Sequence, residues 1–129
     1  MINEEFEQVK EFHTAFGAPV SEKPVLLAKE RVKSRSGWML EEVNEFTEAE
    51  NIYDQADAMI DLIYFALGTL VEMGVKPKKL FDIVQNANMS KLWEDGLPHF
   101  RENDGKIIKP KDWQDPYPKI KEEIDNFIE

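Results

Sequence analysis

Apolar residues recur at helical spacing along most of this chain. Phe6, Val9, Phe12 or His13, and Phe16 step by threes and fours, which predicts a first helix ending at Gly17 ahead of Pro19. A second helix is expected to begin near Pro24, a residue tolerated in a first turn, and to run towards Ala49. Ser36-Gly37 weakens its middle and predicts a kink there. A third helix, about Tyr53 to Met73, carries Ala56, Met59, Ile60, Ile63, Tyr64, Leu67 and Leu70. That surface is wider than a single stripe and marks this helix as central. Gly74 fits its C-cap. A fourth helix, about Pro77 to Leu92, shows Leu80, Ile83, Val84, Ala87 and Leu92.

Beyond Trp93 the pattern changes. "NDGK" is a turn signal, and "PHFRENDGKIIKP" can fold as a small hairpin with "HFR" and "KII" as its arms. A short helix is expected after Pro118. The β-branched, alternating runs of a real sheet are missing. The expected class is therefore all-α: a four- to five-helix bundle with an irregular C-terminal tail. One domain is expected over 1–129, with a helical core at about 3–92 and a tail at 93–129. There is no internal repeat or low-complexity segment.

Composition acts mainly by exclusion. The 129 residues carry 26 acids against 16 bases, a net charge of −10, which argues against a nucleic-acid or anionic-membrane partner. A small phosphorylated ligand stays compatible, because a metal and a local basic cluster can reverse the field. Without cysteine there is no disulfide, thiolate metal site or cysteine nucleophile. "MINEEFEQVKEF" is acidic and amphipathic, unlike a signal peptide, and the apolar stretch from Ile60 to Val71 is too short to span a bilayer. A cytoplasmic protein is the expectation. The many Phe, Tyr, Trp and Met residues exceed what a core of this length covers, which predicts a homodimer or homotetramer.

Candidate chemistry lies on the second and third helices. Glu42 and Glu45 in "MLEEVNEF" are three apart; Asp57 and Asp61 in "QADAMIDLIYF" are four apart. Each pair shares a helix face. A turn near Asn51 would make the helices an antiparallel hairpin and bring the four acids together. Charged helix faces are ordinarily just solvated, and Glu48, Glu50 and Asp54 read that way. Asp57 and Asp61 differ because they interrupt the most apolar helix, where an unpartnered acid costs stability. Four carboxylates at close range call for a cation, and oxygen-only ligands suit Mg²⁺ or Mn²⁺. The metal ligands expected are Glu42, Glu45, Asp57 and Asp61. His13 and His99 follow no glutamate at ferritin-type spacing and form no zinc pair. "AKERVKSRSGW" sets Lys29, Arg31, Lys33 and Arg35 before the first acid pair, and Lys33 and Arg35 are candidate phosphate contacts. "NANMSKLW" adds Asn88 for a base or sugar and Lys91 for a phosphate. Trp38, Trp93 and Trp113 can stack on a base or simply pack.

"EEVNE" matches the Glu-Glu-x-x-Glu signature of the all-α nucleoside triphosphate pyrophosphohydrolases, a superfamily that includes MazG-like proteins, dimeric dUTPases and phosphoribosyl-ATP pyrophosphohydrolase. "DAMIDLIYFALGTLVEMGV" resembles the second metal helix of the phosphoribosyl-ATP pyrophosphohydrolase-like branch, and "NANMSKL" resembles a later segment of it. The resemblance runs from about Phe6 to Pro116. It implies a helical bundle that dimerises, Mg²⁺ held by the acids, and cleavage of a nucleotide between its α and β phosphates. By position it makes Glu42, Glu45, Asp61 and Asp57 ligands, and Glu41 and Glu42 catalytic, Glu41 as outer-shell base or second ligand. Many members have Glu-x-x-Asp on the second metal helix. Here the residue three before Asp61 is Ala58, and the acid lies four before it. The competing reading is a non-catalytic helical interaction protein with a degenerate site. The segment "GLPHFRENDGKIIKPKDW" is expected to be anchored by Ile107 and Ile108, with Lys106 and Lys109 reaching towards phosphates, as a lid or as a subunit contact.

Overall fold

A computed structural model of the chain describes residues 1–128. Its elements are α1 (Ile2–Phe16), α2 (Lys29–Glu48), α3 (Ile52–Met73), α4 (Pro77–Met89), β1 (His99–Phe100), β2 (Ile107–Ile108) and α5 (Tyr117–Ile128). The all-α class holds, with one two-stranded ribbon. The described residues form two compact units, Met1–Pro77 and Lys78–Phe127. The division therefore puts the fourth helix with the tail, whereas the sequence pattern grouped it with the first three.

In the first unit, α1 and α2 both pack on α3. Phe6, Val9, Leu67 and Val71 form the core, with Ile2, Val20 and Leu70 packed against them. α1 ends as expected, with Gly17 left-handed and its N–H bonded to the His13 carbonyl. His13, not Phe12, takes the inward position: it is buried, and its Nδ1 lies 2.8 Å from the Pro19 carbonyl oxygen. Phe12 stays partly exposed and stacks on Phe16.

α2 begins at Lys29, five residues later than Pro24 suggested. The segment before it is engaged with α3 instead. The Ser21 amide donates to the Val71 carbonyl at 3.2 Å, and the Val25 amide to the Met73 carbonyl at 2.9 Å. These bonds satisfy carbonyls that a helix end leaves orphaned. The approach is tight: a Cβ on Gly74, which is left-handed, would run into the Lys23 carbonyl oxygen. α2 then continues as one helix through Ser36-Gly37.

The α2–α3 interface has an ionic centre. Glu72, 1% exposed, receives two hydrogen bonds from Arg31, Nε to Oε1 at 2.6 Å and Nη2 to Oε2 at 2.8 Å. Arg35, 5% exposed, donates from Nη1 to Glu72 Oε2 at 3.0 Å, from Nε to Thr69 Oγ1 at 3.1 Å, and from Nη2 to the Phe65 carbonyl at 2.7 Å. The Trp38 ring lies 5.1 Å and 5.3 Å from the two guanidinium carbons. Burial opposes ionisation of Glu72, but the Arg31 hydrogen bond and the charges of both arginines outweigh it and hold its carboxyl below the usual range.

In the second unit, α4 ends at Met89, three residues short of the expected Leu92. The expected hairpin forms, with His99 opposite Ile108 and Phe100 opposite Ile107. Ile107 and Ile108 are exposed, so they do not anchor the segment. Tryptophans do: Trp93 Nε1 donates to the Ile108 carbonyl at 2.9 Å, and Trp113 Nε1 to the Ala87 carbonyl at 2.8 Å. α5 starts at Tyr117, whose amide is accepted by Asp115 Oδ1 at 2.8 Å.

Two helical glycines should respond oppositely to alanine. Gly37 has nothing within 4 Å of its absent Cβ, so Gly37→Ala should stabilise by about 0.5–1 kcal/mol through helix propensity. At Gly68 the new Cβ would sit 2.5 Å from Arg35 Nη2 and 2.9 Å from His13 Nε2. Gly68→Ala should therefore destabilise, by about 1–3 kcal/mol, despite the same propensity gain. Urea denaturation of both variants checks the reversal of sign.

Candidate metal centre

The turn between α2 and α3 is only Ala49, Glu50 and Asn51. Asn51 is the N-cap of α3: its side-chain oxygen accepts from the Asp54 amide at 2.8 Å, and its Nδ2 donates to Asp54 Oδ2 at 3.0 Å. Asp54 is thereby held at the cap. The short turn makes the helices antiparallel neighbours, and side-chain oxygens of Glu42, Glu45 and Asp61 all come within 4.8 Å of one another. Asp57 is not among those three, but its charge acts on both Glu42 and Asp61.

The electrostatics suit a cation. Glu42 Oε2 is buried with no hydrogen-bond partner among the described residues. Burial, a hydrogen bond with Glu45 and the charges of Glu45, Asp61 and Asp57 push the Glu42 carboxyl up to about 7. Burial, then Asp57 and Glu45, push Asp61 up as well. Like charges with one orphaned oxygen form an arrangement that a hard divalent ion would complete, since every ligand atom is a carboxylate oxygen. Beside it, Glu45, Glu48, Ala49, Asp54 and Asp57 line a cavity of about 290 Å³.

The other expected site residues are placed as follows. Glu41 and Lys33 are exposed on α2. Arg35 is corrected: its three nitrogens bond to Thr69, Glu72 and the Phe65 carbonyl, so it joins two helices and is not a free phosphate ligand. Asn88 is exposed and Lys91 partly so, both in the second unit. Sequence reasoning missed the Arg31–Glu72–Arg35 network. The available signal was Glu72, a lone acid in the apolar end of α3, eleven residues or about three turns beyond Asp61.

The family and structural matches place this acid-bearing helical hairpin in the all-α NTP pyrophosphohydrolase superfamily. The chain matches the phosphoribosyl-ATP pyrophosphohydrolase family model over residues 9–88, more than half its length, and belongs to that family. It is also similar to the crystal structure of a candidate NTP pyrophosphohydrolase from Exiguobacterium sp. 255-15, with 30% identity, a TM-score of 0.56, and coverage of 96% of this chain and 95% of that one. No curated protein matches the chain.

The raised Glu42 carboxyl sets a pH dependence. The folded metal-free protein binds a proton near pH 7 that the unfolded chain gives up near 4.5. Its stability contribution is complete below pH 4.5 and is lost as pH rises through 7. Asp61 acts in the same direction. Thermal unfolding in EDTA should show stability falling between those limits, with Glu42→Gln flattening the fall. Mg²⁺ should reverse it and bind more tightly as pH rises towards 7, because the ion displaces that proton.

Proposed function

We propose that this protein hydrolyses a nucleoside triphosphate, or a related nucleotide, to the monophosphate and pyrophosphate with Mg²⁺, for which Mn²⁺ can substitute. The observation that carries this is the convergence of Glu42, Glu45 and Asp61 around an unpartnered buried oxygen, in a member of a pyrophosphohydrolase family. Those three residues would hold the metal, with Asp57 adding charge beside them. Bound there, the ion would supply neutralisation of the phosphates and acidification of a water. The water oxygen joins phosphorus, the α–β bridging bond breaks, and pyrophosphate leaves. Glu41, exposed beside Glu42, is the base that takes the water's proton in this reading. Lys33, in the same unit, is its phosphate contact.

Assembly as a homo-oligomer belongs to the same reading. On α3, Ile60 is 62% exposed and Ile63 52%, and Tyr64 meets Phe12 edge-on at 5.8 Å while remaining partly exposed. A central helix with its apolar face in water calls for a second copy.

Glu45→Gln or Asp61→Asn should abolish pyrophosphate release, a larger loss than the roughly 10–100-fold cost of removing an outer-shell partner, while the fold is retained. A screen of nucleoside triphosphates with Mg²⁺, following pyrophosphate and monophosphate together, provides the assay. Full activity in either variant would refute the assignment of these acids to the metal, and no release from any nucleotide would favour a non-catalytic interaction protein. Light scattering at micromolar concentration should show a dimer or tetramer, and Ile63→Glu should shift it towards monomer.

A further inference from the structure

The face that α2 turns to α3 runs Arg31, Arg35, Trp38, Glu42 and Glu45, in alternating steps of four and three. Opposite them, in reverse order along α3, stand Glu72, Thr69, Phe65 and Asp61. The contacts keep that order. Arg31 meets Glu72, and Arg35 meets Glu72, Thr69 and the Phe65 carbonyl. The Trp38 ring lies 6.0 Å from the Phe65 ring, and Glu42 and Glu45 gather with Asp61. One aromatic layer therefore stands between two arginines and the acids.

Something has to keep those charges apart. Arg35 and Glu42 are separated by about 10.5 Å of helix rise, and a helical side chain leans towards the N-terminus, so Glu42 leans at Arg35. A guanidinium that reached the acids would pair with them strongly, often through two parallel bonds. The arginines stay with Glu72 instead. Burial, then Glu45, Asp61 and Asp57, raise the Glu42 carboxyl, and every charge in that set is negative. Glu42 Oε2 has no partner among the described residues. The indole is placed to restrain the arginines, with its ring 5.1 Å from the Arg31 guanidinium carbon and 5.3 Å from that of Arg35. The Phe65 ring lies 5.6 Å from the same Arg35 carbon. Aromatic faces attract cations, so both rings hold the guanidiniums at the Glu72 end.

We propose that Trp38 is a positioning residue of the metal centre: with Phe65, its ring confines Arg31 and Arg35 to Glu72 and keeps Glu42, Glu45 and Asp61 free of an internal counter-ion. The proposal rests on the metal reading above. Isothermal titration of Mg²⁺ into the full chain tests it without reference to turnover, with circular dichroism confirming the fold of each variant. Trp38→Ala should weaken Mg²⁺ about tenfold or more, and Trp38→Phe, which keeps an aromatic face, by less than about threefold. Trp38→Leu, apolar but without such a face, should follow Trp38→Ala and serves if alanine costs the fold. Arg35→Met separates confinement from packing, because Glu72 keeps both of its hydrogen bonds from Arg31. In Trp38→Ala/Arg35→Met, Mg²⁺ affinity should return to within about threefold of Arg35→Met alone, since the released cation is gone. Unchanged affinity in Trp38→Ala and Trp38→Leu overturns the proposal, and so does a loss that Arg35→Met leaves in place, which would make Trp38 a packing residue only. Either result, alongside wild-type binding that Asp61→Asn abolishes, leaves the metal reading standing and this one refuted. No uptake of Mg²⁺ by the wild-type chain at about 20 mM refutes both.

Discussion

The α2–α3 hairpin is loaded with opposite electrostatics along its length, and the first unit depends on that balance. Near the turn, Glu42, Glu45 and Asp61 crowd one another with Asp57 alongside. Two helical turns back along α2, Arg35 and Arg31 close on Glu72. Seven residues of helix separate Glu42 from Arg35, about 10.5 Å of rise, so the repulsive and attractive clusters belong to the same interface. The attractive cluster is well formed: each Glu72 oxygen has an arginine donor, and the Phe65 carbonyl and Thr69 hydroxyl take further guanidinium protons. A buried pair so completely bonded avoids the penalty that makes isolated buried charges costly. It holds the helices in register while the acids push them apart.

Much of this was legible from residue spacing. The four acids were readable because two of them interrupt an apolar run, and an acid there needs a partner. Helix ends marked by Gly17, Asn51 and Gly74 fell as expected, since left-handed caps and Asx caps are local chemistry. The start of α2 was not local. Pro24 permits a helix, but the amides of Ser21 and Val25 are drawn to α3, a tertiary demand with no trace in nearby sequence. Arg35 was misread for the same reason. In the sequence it is one of four alternating bases; in the fold, only its position on the α2 stripe facing Glu72 separates it from exposed Lys33.

The second unit shows how little core a small segment needs when its aromatic residues carry hydrogen bonds. Trp93 and Trp113 each pair an indole N–H with a backbone carbonyl, which ties irregular chain to regular elements without much burial. The hairpin isoleucines, by contrast, remain in water. Periodicity identifies apolar residues, but it does not say which of them has geometry suited to packing.

The connection between α1 and α2 has a consequence for how this chain can vary. Loops of this length ordinarily absorb insertions and deletions between related proteins. Here Ser21 and Val25 bond to carbonyls on either side of Glu72, and Lys23 presses on Gly74. Adding or removing one residue would shift that register and disturb the carboxylate that both arginines grip. The segment looks like a linker in sequence, yet its length is as constrained as a helix turn, so length variation should be sought elsewhere on the surface.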